Sequence, residues 1–326
     1  MKAAWYTKTG KASEVLNIGE LDDPKPSIGE VLVKVKTSGV NPSDVKIRAG
    51  ARGDLQFPRI IPHSDGAGEI IDVGKGVNKN RVGEKVWIWN GSFGRSDGTC
   101  AELISLPEIQ AVKIAENVSY EAAACMGIPA STAFYGILAN GPVKNKTVLI
   151  SGGAGAVGFY GVQLAKLFGA DVITTISNDE KAKIASDAGA DKIINYTNED
   201  VFEEVMKHTN DNGVDRIFEV EFGENLPINE KIIKQNGVIA AYGSMAEIEP
   251  KLPFYNLMFK GVKIDTFLIY SIEEKFRKET LDGLSELLNK NSLKHMISKK
   301  YSIDHIVDAH EAMESGNTIG NIVIEL

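Results

Sequence analysis

The stretch Thr147–Ser177, TVLISGGAGAVGFYGVQLAKLFGADVITTIS, decides the fold. An apolar run, Thr147 to Ser151, leads into glycines. An amphipathic helical pattern follows, and then a second apolar run. That succession is a βαβ unit. Within it, Gly153-Ala154-Gly155-Ala156-Val157-Gly158 fits G-x-G-x-x-G, with a strand before it and a helix after it. Glycines let the backbone turn tightly and come close to a pyrophosphate. The helix beyond them offers unpaired N–H groups and the positive end of its dipole. The loop therefore reads as a dinucleotide-binding turn.

The end of the second strand selects among dinucleotides. A carboxylate there holds a ribose 2′-hydroxyl. This chain has Thr175-Ile176-Ser177-Asn178 instead. Ser177 can donate to a 2′-phosphate, Lys181 follows within a helical turn, and Tyr196 ends the next strand. The pattern favours NADPH, while Asp179 leaves room for NADH.

Working outward, strands and helices keep alternating. Helix NDEKAKIASDAGA is followed by strand DKIINY, helix NEDVFEEVMKHT, strand GVDRIFEV, helix LPINEKIIKQN and strand GVIAAYG. VKIDTFLIY adds an edge strand, and SIEEKFRKETLDGLSELLNKN is a long helix. Such alternation implies a parallel sheet covered on both faces. Ahead of it the texture is β-rich. In EVLVKVKTSGV, Val31, Val33 and Val35 alternate with Leu32, Lys34 and Lys36, the mark of a half-buried strand. Many short strands between Gly, Pro and Asn turns suggest a small barrel or sandwich. SYEAAACMGIPASTAFYGIL reads as helix broken at Pro129. The chain closes with strand KKYSI, a helix, and strand GNIVIEL.

The 326 residues suit two domains. Net charge is −8, which argues against a broad phosphate-binding face for DNA or RNA. No apolar run approaches a membrane span, and MKAAWYTKTG has no signal-peptide core. A cytoplasmic protein is expected, without nucleic-acid or membrane partners. Two cysteines, Cys100 and Cys125, make no disulfide framework and no four-cysteine zinc site. They read as small buried hydrophobes.

One further stretch invites chemistry: Pro62-His63-Ser64-Asp65-Gly66-Ala67-Gly68. His63 is either a proton donor, since histidine titrates near neutral pH, or a locally bonded turn residue. Asp65 reads as a holder of backbone or neighbouring groups in the turn.

Several motifs in order resemble the zinc-free quinone oxidoreductases of the medium-chain dehydrogenase/reductase superfamily. They are GVNPSDVKIRAG (39–50), IPHSDGAGEI (61–70), VGEKVW (82–87), GTCAEL (98–103), AAACMGIPASTAFYGIL (122–138), VLISGGAGAVGFYGVQLAKLFGA (148–170) and VIAAYGS (238–244). The resemblance implies an α/β chain with a GroES-like β-rich catalytic domain, residues 1–124 completed by 272–326. It implies a Rossmann domain with a doubly wound parallel sheet over 125–271, and a homodimer. It places the phosphate loop at Ala154, Gly155, Ala156, Val157 and Gly158, and the adenosine-phosphate contacts at Ser177, Lys181 and Tyr196. The nicotinamide side falls on Asn41, Thr132, Tyr242, Gly243, Ser244, Leu268, Ile269 and Tyr270. Lys46 stands where many relatives carry tyrosine, and Gly316 where some carry a basic residue.

Zinc-dependent relatives hold metal with a cysteine near Asn41–Ser43 and a histidine that aligns with Ser64. This chain has neither, so no metal is expected. Without a Lewis acid the substrate must be electrophilic by itself, as quinones and enones are. Asn41, Lys46 and Thr132 are the candidates to steady charge on the substrate oxygen. The expected activity is NADPH:quinone oxidoreduction. The alternatives are an enone or 2-alkenal reductase and a low-turnover NADPH-binding sensor, structural or RNA-associated protein.

Overall fold

The computed structural model describes residues 1–316 and 318–326. They form two compact units, Met1–Ile128 with Leu281–Leu326, and Pro129–Thr280.

The first unit opens with the antiparallel pair β1 (Lys2–Trp5) and β2 (Asn17–Glu20), with the short helix α1 (Ala12–Val15) between them. β3 (Glu30–Val40) is the long central strand, followed by α2 (Pro42–Ala49) and β4 (Asp65–Val73). β5 (Lys85–Ile88), β6 (Leu103–Pro107) and β7 (Ala111–Lys113), which pairs with β5, come before α3 (Tyr120–Ala123). β3 pairs antiparallel with both β4 and β6. Val31, Val33 and Val35 point into one apolar cluster with Ile70, Val86 and Ile104, while Lys34 is exposed. The alternation read from the sequence is this pleat.

The helical stretch around Pro129 is not broken. Residues Met126–Ala130 widen into a π-turn and continue as α4 (Ser131–Leu138). Proline has no N–H to give, and a wider turn accommodates that without ending the helix.

The second unit then builds strictly by alternation. The elements are β8 (Thr147–Ile150), α5 (Ala156–Leu167), β9 (Asp171–Ile176), α6 (Asp179–Ala188), β10 (Lys192–Asn195), α7 (Val201–His208), β11 (Val214–Glu219), α8 (Phe222–Ile232), β12 (Ile233–Ala241), α9 (Phe254–Lys260) and β13 (Lys263–Thr266). Among the described residues the sheet has six strands in the order β10-β9-β8-β11-β12-β13. Every pairing is parallel. The order reverses between β8 and β11, so this is a doubly wound sheet with its switch point there. Its core is Leu149, Ile173, Ile194, Ile217 and Ile239 with residues of the covering helices.

Two boundaries differ from the sequence reading. Helix α8 begins four residues earlier than LPINEKIIKQN and stops at Ile232, and Lys234–Asn236 belong to β12. Asn236 has φ 58°, and the β11–β12 register shifts between Val214 and Arg216. The polar, helix-favouring run is pulled into an irregular strand because Ile233 is buried in the sheet core. Only Lys263–Thr266 of VKIDTFLIY is strand, after which the chain turns.

α10 (Glu274–Asn289) carries the chain back to the first unit. There β14 (Ile297–Ser302), α11 (Ile306–Glu314) and β15 (Asn321–Glu325) complete the sheet, β14 pairing parallel with β15 and β15 antiparallel with β3. Arg48 of α2 is buried and donates to the Gly10 carbonyl and to Glu314 of α11.

Ile239 sits fully buried on β12, one strand in from the edge of the parallel sheet. Ile239→Ala leaves a cavity there and is expected to cost about 2–5 kcal/mol. The check is the unfolding midpoint in urea.

Candidate functional site

In the second unit, the turn between β8 and α5 is shaped by close approach. Gly152 has φ +71°, the left-handed region that suits glycine. A Cβ on Gly153 would lie 2.1 Å from Thr174 Oγ1, and one on Gly158 would lie 2.2 Å from the Gly152 carbonyl oxygen. Neither position has room for any other residue. Thr174 is held in turn by donating to the Ile150 carbonyl at 2.7 Å. Gly153 N–H donates to the Thr175 carbonyl. Gly155 precedes the first turn of α5, whose leading N–H groups have no partner within the helix. The result is a tightly packed turn from Ala154 to Gly158 that leads into the first turn of α5.

At the end of β9, Lys181 Nζ donates to Ser177 Oγ at 2.9 Å. Asn178 caps α6 by accepting from the Lys181 N–H at 2.9 Å. The cap fixes Lys181 in the first turn, where its ammonium folds back over the strand end. Tyr196, half exposed, follows β10, and its N–H donates to the Ile176 carbonyl. The three residues singled out from the sequence thus share one edge of the sheet.

Farther along that edge, Tyr242 follows β12, its ring centroid 4.7 Å from that of Phe218. Burial, with Glu219 and Glu221 nearby, raises its hydroxyl above the ordinary range, so it stays protonated. Gly243 lies against the Val220 carbonyl with no room for a Cβ. Ser244 Oγ accepts from the Gly223 N–H at 2.9 Å. Leu268 is partly exposed, and Ile269–Ser271 form a 3₁₀ turn in which Tyr270 is buried. Thr132 is buried on α4.

The first unit carries a separate polar cluster. Asn41 precedes α2 and is 4% exposed. Its Nδ2 donates to Asp65 Oδ2 at 2.9 Å, and its own N–H donates to Asp44 at 2.8 Å. Asp65 Oδ2 also accepts from the Ile128 N–H at 3.0 Å. Its Oδ1 finds no donor among the described residues and lies where a Cβ on Gly127 would fall, 2.0 Å away. Burial pushes the Asp65 carboxyl well above its usual range, against the Asn41 hydrogen bond, and Asp44 adds to the rise. Burial likewise lifts Asp44 to about 7. Lys46 is half-buried on α2.

His63 adopts φ 76° and is fully buried. Its Nδ1 bonds Ser38 Oγ at 2.8 Å, and its Nε2 lies 2.9 Å from His310 Nε2. Ser38 Oγ meets Thr99 Oγ1 at 2.7 Å, and Thr99 donates to the Asp65 carbonyl. Burial, then His310, holds His63 well below its usual range, while burial and Arg48 take His310 to about 3. These shifts favour neutral rings, one donating and the other accepting. His63 sits in the turn, but its bonds to Ser38 and His310 span 25 and 247 residues and are not local. Its partner His310 lies 247 residues away in sequence, and no local spacing signals it.

The donor set does not suit a catalytic zinc. Asn41 gives one amide hydrogen to Asp65, and Ser64 Oγ bonds Ser92 at 2.8 Å. Among the described residues no three His, Cys, Asp or Glu side chains are grouped to hold a metal ion. Cys100 is buried and its thiol is raised by burial, which leaves it without nucleophilic character.

Residues 27–116 match the model of the alcohol dehydrogenase GroES-like domain, and residues 156–286 that of zinc-binding dehydrogenases. The chain is 31% identical to L-threonine 3-dehydrogenase of Pyrococcus horikoshii, covering 100% of this chain and 99% of that one. It is 27% identical to human quinone oxidoreductase, over 93% and 91% of the two chains. A mycobacterial structure complexed with NADPH superposes with a TM-score of 0.88 at 27% identity, each chain covered in full.

The raised Asp65 gives a signed expectation. The folded state holds a proton that the unfolded state releases above about pH 4. The stabilising share of wild-type Asp65 is therefore present below that pH and is lost as pH rises toward the folded value. Asp65→Asn mimics the neutral carboxyl, so its stability relative to wild type is expected to grow between pH 4 and 8. Paired denaturant titrations across that range measure it.

Proposed function

The chain belongs to the medium-chain dehydrogenase/reductase superfamily, and on that premise we propose that it is an NADPH-dependent oxidoreductase that acts on quinones without zinc. The observation that carries the cofactor is the Ser177–Lys181 pair at the end of β9. A hydroxyl and an ammonium stand there in place of the carboxylate that would repel a 2′-phosphate. NADPH supplies the hydride when bound. Ala154 to Gly158 receive the diphosphate on backbone N–H groups, while Ser177, Lys181 and Tyr196 take the 2′-phosphate. Tyr242, Gly243, Ser244 and Leu268 to Tyr270 flank the nicotinamide side.

The donor set supports a substrate class. With no cysteine near Asn41–Ser43 and Ser64 at the histidine-aligned position, the protein offers hydrogen-bond donors instead of a Lewis acid. Such a site suits a carbonyl compound that is already electron-poor. The likeness to quinone oxidoreductase over nine-tenths of the chain supports a quinone. Asn41, held by Asp65, presents a fixed amide. Lys46 and Thr132 are the other groups proposed to steady charge on the substrate oxygen.

The protein is further proposed to pair with a second copy of itself through the second unit. Ile248, Phe254, Tyr255, Met258 and Phe259 form an exposed apolar face on and before α9. β13, the sheet edge next to it, has one side without a strand partner among the described residues. Apolar surface of this extent beside an open strand edge marks an interaction face.

Three outcomes are expected. Quinone-dependent NADPH oxidation persists in chelator; turnover with enones alone moves the assignment to an alkene reductase, and binding without turnover to a non-catalytic protein. Lys181→Ala weakens NADPH by about tenfold or more and leaves NADH nearly unchanged, read by fluorescence titration of both. Lys46→Ala lowers kcat while the Kd for NADPH holds; unchanged turnover removes Lys46 from the site.

A further inference from the structure

The glycine motif does not account for a buried polar chain at the turning point of the sheet. β8 and β11 are neighbours there although two strands separate them in sequence. In sheets of this kind the crevice for a ligand opens at the carboxyl ends of such a pair. Ser151 is the first residue after β8, and Glu219 is the last of β11. Ser151 N–H is spent on the Phe218 carbonyl at 2.9 Å.

Glu219 is 1% exposed. Its carboxylate accepts from the Glu221 N–H at 2.8 Å, Asn225 Nδ2 at 3.0 Å and Asn229 Nδ2 at 2.8 Å. Asn225 and Asn229 are four apart on α8 and so share a face. A carboxylate only accepts, so it dictates which way each amide points. Asn225 Nδ2 has a second hydrogen, and this reaches Ser151 Oγ at 3.2 Å. An amide nitrogen only donates. Ser151 Oγ is therefore the acceptor in that bond, and its own hydrogen must point elsewhere. Among the described residues this is the only hydrogen bond at the hydroxyl, and Ser151 is 7% exposed.

We propose that Ser151 is a binding residue whose hydroxyl is locked as a donor toward the diphosphate of a bound nicotinamide dinucleotide, with Asn225 and Glu219 as the positioning residues that lock it. The inference rests on the dinucleotide reading of this sheet edge and adds a contact that the glycine motif does not contain. A phosphate oxygen only accepts, so a hydroxyl with its acceptor side already filled is matched to it. The Glu219 carboxyl is enclosed by three donors. The hydroxyl stands two residues before Gly153, where the chain enters the glycine turn.

The test is a titration of NADPH fluorescence on wild type, Ser151→Ala, Ser151→Thr, Asn225→Ala and the Ser151→Ala/Asn225→Ala double variant. Thermal midpoints and the KM and kcat for NADPH are measured alongside. Loss of one such hydrogen bond is expected to raise Kd about five- to tenfold in Ser151→Ala and in Asn225→Ala. The double variant is expected to be no weaker than either single, because Asn225 acts through Ser151. The loss falls on KM more than on kcat, and Ser151→Thr, which keeps the hydroxyl, recovers most of the affinity. Wild-type affinity in Ser151→Ala overturns the proposal, as does multiplication of the two losses in the double variant. If Asn225→Ala does not fold, the Ser151→Ala and Ser151→Thr pair decides alone. Wild type that binds neither NADPH nor NADH overturns the dinucleotide reading itself, a result distinct from wild-type binding that Ser151→Ala leaves intact.

Discussion

The close seating of Gly153 against Thr174 sets the geometry on which the second unit depends. A side chain at Gly153 would occupy the space of the Thr174 hydroxyl, which is itself tied to the Ile150 carbonyl. Gly158 lies as tightly against Gly152. These contacts fix the angle at which the chain leaves β8 and enters α5. That angle lays α5 on the sheet and points its first N–H groups along the carboxyl edge. Ser177, Tyr196, Glu219 and Tyr242 stand on the same edge because every strand of the sheet runs the same way.

The first unit solves a different problem, the burial of charge-bearing side chains. Asp65, Asp44, His63 and His310 are all at or below 3% exposure. Each is tolerable because its neighbours hold it neutral or hydrogen-bonded. The Asn41–Asp65 bond joins α2 to β4, and Ile128 adds the segment after α3. The His63–His310 bond ties the returning C-terminal helix to the same turn. A turn that in metal-dependent relatives would carry ligands is here a hydrogen-bonded clasp.

Much of this was legible in the linear text. Alternation in EVLVKVKTSGV became the pleat of β3, and the βαβ rhythm became the parallel sheet. Local pattern failed where tertiary contacts outvoted it. Lys234-Gln235-Asn236 carries helix-compatible polarity, yet buried Ile233 draws it into β12. Pro129 signals a break, yet the chain widens through a π-turn and continues. The glycine turn and the Ser177–Lys181 pair were readable because their members lie within a turn or two of one another.

The sequence by itself determined the class of fold, the glycine turn between β8 and α5, and the hydroxyl and ammonium that stand near it in place of a carboxylate. These follow from local spacing, which strand and helix geometry translate directly into position. Only the tertiary structure decided that His63 faces His310, that Asp65 is held by Asn41 and Ile128, and that Asn225 joins Glu219 to Ser151. Those partners come from different strands and helices. Their pairing depends on which elements lie side by side, and that is settled by burying apolar faces across the whole chain.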